Sequence, residues 1–263
     1  MNQRTLSCAN IGPKPSRILN PKYLYLTVNI VTLALPLAFS FHPKVNFFKK
    51  WKFVLPAILA SAIVFIAWDV IFTMYEIWGF NEKYLTGYFV FNLPIEEVLF
   101  FICIPYACLF THFAFTSLLE RDYLFPHHEL ISSFMIIASL IIGIYFMDRA
   151  YTSVTFLLTG FFLSYHMLKV RPRYMGRFYF SYGALLVPFL IVNGILTGAF
   201  THEPVVWYDN EENTGVRLFT IPVEDIFYGM MMMLIPIFFA DELENRLEKV
   251  RSPLRTGQSI KKK

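Results

Sequence analysis

Gly87-Tyr88-Phe89-Val90-Phe91-Asn92-Leu93-Pro94-Ile95-Glu96-Glu97-Val98-Leu99-Phe100 and Gly215-Val216-Arg217-Leu218-Phe219-Thr220-Ile221-Pro222-Val223-Glu224-Asp225-Ile226-Phe227-Tyr228 are two copies of one pattern. In each, six residues separate a glycine from a proline-aliphatic-Glu-acid tetrapeptide, and an apolar run with aromatic residues follows. Paired carboxylates at the mouth of an apolar helix are costly in a bilayer, and polar groups placed there by default mark a functional site. This chain carries the arrangement twice.

The composition supplies the bilayer. Of 263 residues, 56% are hydrophobic and 16% charged, with 29 phenylalanines; a soluble domain carries about 25% charged residues. Stretches long enough to cross a membrane, about 20 apolar residues each, run Tyr23 to Phe41, Phe53 to Tyr75, Ile95 to Thr116, Leu130 to Met147, Tyr151 to Leu168, Phe178 to Phe200 and Phe219 to Ala240. The predicted fold is an all-α integral membrane protein of about seven transmembrane helices. Residues 1–22 are polar, contain Pro13, Pro15 and Pro21, and read as an N-terminal tail without a cleavable signal. Residues 246–263 form a basic C-terminal tail.

Basic residues set the direction. With the N-terminus outside, the inner segments hold Lys44, Lys49, Lys50, Lys52, Arg121, Lys169, Arg171, Arg173, Arg177 and the C-terminal tail, whereas the outer loops hold Lys83, Arg149 and Arg217. Against this stand Arg4, Lys14, Arg17 and Lys22 of the N-terminal tail. The balance favours a multi-pass protein of the cell membrane with its C-terminus in the cytoplasm. The net charge of +4 then reflects membrane orientation and gives no sign of nucleic-acid binding.

In that topology the third and seventh helices both start outside, so the two acidic motifs share one membrane face. Two parallel three-helix repeats, 23–129 and 151–245, need an extra crossing between them, and the fourth helix, within 130–150, provides it. Trp78 lies 16 residues before Pro94 and Trp207 lies 15 before Pro222, while Asp69 and Asn193 lie 25 and 29 residues upstream, so the second outer loop is longer.

Pro94 and Pro222 suit the first helical position, and Glu96, Glu97, Glu224 and Asp225 then fill the first turns, where free N–H groups favour carboxylates. Burial and like charges oppose that, and such opposition can divide carboxyls into acids and bases. Successive helical positions differ by about 100°, so adjacent acids face different ways; which faces inward stays open. The plain alternative is helix capping copied by duplication. Other chemistries lack their motifs: there is no dinucleotide fingerprint or P-loop, no Asp pair spaced for magnesium diphosphate, no cysteine framework around Cys8, Cys103 and Cys108, and only His127-His128 adjoin. No metal or cofactor is expected. Proton transfer to an apolar substrate remains. A proton-coupled transporter of a small or lipophilic solute and a non-catalytic assembly or lipid-binding protein are the competing classes.

The doubled motifs, with Trp68-Asp69, Leu93 and Phe100-Phe101 in the first half, and Asn193, Leu196-Thr197-Gly198, Pro204-Val205-Val206-Trp207-Tyr208, Ile221 and Tyr228 in the second, resemble the non-flavin lycopene cyclases in their fused, two-repeat form. The resemblance implies a lycopene β-cyclase acting on lycopene and other ψ-end carotenoids within membrane lipid, alongside other carotenoid-pathway enzymes. It implies a redox-neutral reaction with Glu96, Glu97, Glu224 and Asp225 as the catalytic group. Asp69, Asn193, Phe100, Phe101 and Tyr228 are the expected substrate contacts, with Trp68 and Tyr75 as further candidates to face a cation. Gly194 and Gly198 read as a close helix contact.

Overall fold

In the computed structural model, which describes residues 20–170 and 172–260, seven long helices carry the chain. They are α1 (Leu24–Phe39), α2 (Trp51–Met74), α3 (Ile95–Leu118), α4 (His128–Tyr145), α5 (Ala150–Tyr165), α6 (Met175–Leu196) and α7 (Glu224–Ile260). All seven sit in segments long and apolar enough to span a membrane. The tail residues Arg4, Cys8, Lys14, Arg17, Lys261, Lys262 and Lys263, together with Arg171, lie outside the described residues, as do the side chains of 248 and of 250 to 260.

The repeat is visible in the packing. α1 lies against α3 as α5 lies against α7, and the second helix of each repeat crosses to the other half, α2 onto α7 and α6 onto α3. α4 stands outside this arrangement and packs chiefly on α5. Its buried positions, Ser132, Ser139 and Gly143, are small, whereas Leu130, Phe134, Ile137, Ile141 and Ile144 are exposed toward lipid. Small residues let the backbones approach where no hydrophobic force draws helices together. A Cβ on Gly143 would meet Leu157 Cγ at 2.8 Å, and one on Gly160 would meet Leu140 Cγ at 2.8 Å.

Short strands lie between the helices: β1 (Trp78–Phe80), β2 (Phe89–Val90), β3 (Leu93–Pro94), β4 (Val206–Tyr208), β5 (Arg217–Leu218) and β6 (Ile221–Pro222). β1 and β4 pair antiparallel across the two halves, centred on Gly79 opposite Trp207. Asn81 N–H donates to Val205 O and Asp209 N–H to Ile77 O, each at 2.9 Å. This pair lies on the pseudo-twofold axis, and it corrects the sequence alignment: Trp207 occupies the place of Gly79, not of Trp78. From this register to the proline the spacing is 15 residues in both halves, so the two tryptophans are one position out of step, and the longer second loop lies upstream of β4. Tyr75 and Thr197, which cap α2 and α6, are 122 positions apart, whereas Gly79 and Trp207 are 128 apart, so the second loop holds six extra residues.

The prolines differ from expectation too. Pro94 and Pro222 are not helical; each closes a hairpin, paired with Phe89 and Arg217. The seventh helix therefore begins at Glu224, and Phe219 is a hairpin tip in left-handed conformation, matched by Phe91 (φ 58° and 57°). Gly198 lies past the end of α6 with φ 98°, and a Cβ added at Gly194 would meet only Ala199 and Phe200 of its own segment, at 3.6 and 3.9 Å. This Gly-x-x-x-Gly terminates a helix and does not bring two together.

Candidate active site

The two hairpins place the two acidic pairs identically. Gly87 and Gly215 take positive φ (89° and 72°), which turns the preceding residue's N–H back toward the helix that follows. Thr86 N–H donates to Glu96 Oε1 and Thr214 N–H to Glu224 Oε1, each at 2.7 Å. Thr152 Oγ1 adds a second donor to Glu224 Oε1 at 2.7 Å, and Asn29 Nδ2 donates to the Glu96 carbonyl at 2.7 Å. Glu96 and Glu224 are fully buried and fasten hairpin to helix.

One step of about 100° further round the helix, Glu97 and Asp225 point elsewhere. Tyr25 of α1 donates its hydroxyl to Glu97 Oε2 at 2.5 Å, and Tyr151 of α5 donates to Asp225 Oδ1. Tyr208 of β4 donates to Asp225 Oδ2 at 3.0 Å. By the strand register its counterpart in the first half is Phe80, so Glu97 lacks this second partner and its Oε1 accepts no hydrogen bond among the described residues. Burial, and then the Asp225 carboxylate beside it, push the Tyr208 phenol well above its ordinary pKa, so it stays a donor.

Glu97 and Asp225 both line one cavity of about 60 Å³. The sequence-nominated residues Asp69, Asn193, Phe100 and Tyr228 line it as well. Glu96, Glu224 and Phe101 are not on its wall; Phe101 stacks on Phe65 at 5.9 Å. Trp68 lies edge-on to Tyr228 at 5.0 Å, while Tyr75 is 69% exposed and turned away. Asp69 Oδ1 accepts the indole N–H of Trp78, and the Trp78 ring meets Tyr151 edge-to-face at 5.1 Å. Sequence reasoning missed Tyr25, Tyr151, Tyr208 and the lining role of Trp78. Superposing the first helices of the two repeats would have paired Tyr25 with Tyr151.

Carboxyls from both repeats thus meet in an aromatic chamber at one end of a seven-helix bundle. The family model for lycopene cyclase matches residues 22–115 and 148–243, well over half of the chain, in two segments separated by the region that holds α4. The chain belongs to the lycopene cyclase family. It is accordingly a multi-pass membrane enzyme of carotenoid cyclisation, built as the two-repeat fused form. Neither the curated proteins nor the solved structures contained a match. Within this lycopene cyclase the two family segments each bring one cavity carboxyl, Glu97 or Asp225.

Proposed function

We propose that the protein is a lycopene β-cyclase in which Glu97 is the proton donor and Asp225 the proton acceptor, with Glu96 and Glu224 holding the hairpins that aim them. The observation that carries this reading is the presence of Glu97 and Asp225, one from each repeat, on a single cavity walled by aromatic rings. Their hydrogen bonds support the division of labour. Both Asp225 oxygens accept from phenols, Oδ1 from Tyr151 and Oδ2 from Tyr208, which suits a carboxylate. Glu97 keeps Oε1 free to carry a proton toward substrate.

Glu97 gives its proton to C2 of a ψ end, leaving a tertiary cation at C1. The C5=C6 bond closes on C1 and moves the cation to C5. Asp225 then takes the proton from C6, whose electron pair becomes the C5=C6 bond of the β-ring; removal from C4 instead would give the ε-ring. Phe100 and Trp78 on the wall offer ring faces to the cation, and Asn193 borders the same space. Substrates are lycopene and other ψ-end carotenoids drawn from membrane lipid. The site lies at the outer face if the N-terminus is outside and the C-terminus inside, the orientation the basic residues favour.

Pigment analysis tests the reading. Expressed in bacteria that accumulate lycopene, the protein converts red lycopene to orange β-carotene through the monocyclic intermediate. Unchanged lycopene, with the protein present in the membrane, overturns the reading and returns weight to a proton-coupled transporter.

A further inference from the structure

Asp69 and Tyr228, both residues of the cavity wall, each carry a buried polar atom without a partner that ring closure does not use. Asp69, on α2, is 1% exposed; its Oδ1 accepts from Trp78, and its Oδ2 has no partner among the described residues. Tyr228 follows Asp225 by three residues on α7, which puts both on one helix face, and its hydroxyl is likewise buried and unpartnered. Leaving such a group unpaired in the protein interior is destabilising. A hydrocarbon polyene cannot satisfy either, so contact with substrate does not account for them. One is a carboxyl oxygen that accepts and the other a phenol that donates, the complementary pair that a water requires. The cavity of about 60 Å³ has room for a few waters, each needing at least about 10–15 Å³ and two to four polar partners.

The cyclisation creates a need for that water. Each ring takes a proton from Glu97 and delivers one to Asp225, so the enzyme ends the turnover with its proton on the wrong carboxyl. We propose that Asp69 and Tyr228 hold a water between Asp225 and Glu97, and that this water returns the proton once the ring has left. The inference rests on the acid–base roles given above. The water accepts a hydrogen bond from Tyr228 and donates one to Asp69 Oδ2. Its remaining lone pair takes the proton from the Asp225 carboxyl, while its remaining O–H gives a proton to Glu97. The Asp225 O–H bond breaks and a Glu97 O–H bond forms, the water gains one O–H bond and loses another and so is regenerated, and no electron is transferred. Asp69 and Tyr228 are positioning residues in this step; neither touches the reacting carbons.

Single and repeated turnovers of the full-length protein in liposomes separate this role from a structural one. In Asp69→Asn, whose amide oxygen still accepts from Trp78, and in Tyr228→Phe, the first ring formed with enzyme in excess slows by less than about threefold, whereas steady-state turnover falls by about tenfold or more. Azide, a small diffusible proton carrier, restores steady-state turnover in both variants. Equal slowing of first and later turnovers, without azide rescue, overturns the proposal and makes the pair part of the chamber's architecture. Unchanged steady-state turnover in both variants overturns it as well. If the wild-type protein forms no ring, it is the cyclase reading that fails, and that result is read separately.

Discussion

A helix turns by about 100° per residue, and this step separates Glu96 from Glu97 and Glu224 from Asp225. The first acid of each pair accepts from a backbone N–H ten residues earlier; the second accepts from a tyrosine on another helix. Glu97→Gln and Asp225→Asn keep the shape of the cavity and remove the proton donor or the proton acceptor, so cyclisation falls by about 10²–10⁴ with membrane levels and melting temperature near wild type. Glu96→Ala and Glu224→Ala instead leave Thr86 N–H or Thr214 N–H unpaired, costing about 1–3 kcal/mol of stability, read as a lower melting temperature in detergent. Pigment per folded molecule and thermal unfolding, measured on the same samples, check both. Wild-type turnover in Glu97→Gln would remove it from the site. Sequence could nominate all four acids because each tetrapeptide is contiguous. It could not orient them, because the deciding partners, Thr86 N–H and Tyr25 in one half, Thr214 N–H and Tyr151 in the other, reach them only through the folded hairpin and the packed first helix of each repeat.

Helices and hairpins show where patterning suffices and where it fails. All seven crossings were legible, since apolar length alone marks them, and the position of α4 as an unmatched helix followed from the parity of the crossings. The hairpins were not legible: Phe89–Val90 and Arg217–Leu218 are too short for a strand period, and their prolines read equally well as helix starts. The element that parity demanded also has a local test. α4 and α5 meet through Gly143 and Gly160, with a Leu side chain lodged over each glycine. Gly143→Val forces Leu157 away from α4, an overpacking that costs about 1–3 kcal/mol. The expected result is a lowered melting temperature with the cavity tyrosines and carboxyls unaffected, so surviving molecules cyclise at the wild-type rate. Unchanged stability would show that α4 and α5 do not pack through these glycines.

For the whole molecule, the decisive fact is that two repeats build one chamber. α2 crosses to α7 and α6 to α3, β1 pairs with β4, and Glu97 and Asp225 face the same cavity. The duplication has therefore given one cavity with a carboxyl from each repeat, a single acid–base pair on the proposed roles, and the exchange of Phe80 for Tyr208 at matching strand positions makes its halves unequal. A single chamber accepts one ψ end at a time. A carotenoid with two such ends must release its first ring and present the other end before a second can close. With lycopene in large excess over enzyme in liposomes, a released monocyclic product competes with fresh lycopene, so it accumulates first and bicyclic product appears after a lag. Raising the ratio of lycopene to enzyme lengthens that lag, and a chromatographic time course of the three pigments reads it directly. Bicyclic product formed from the first turnover, at every ratio, would require either a substrate that turns without leaving or a second active chamber, and would refute the one-chamber account of the repeat.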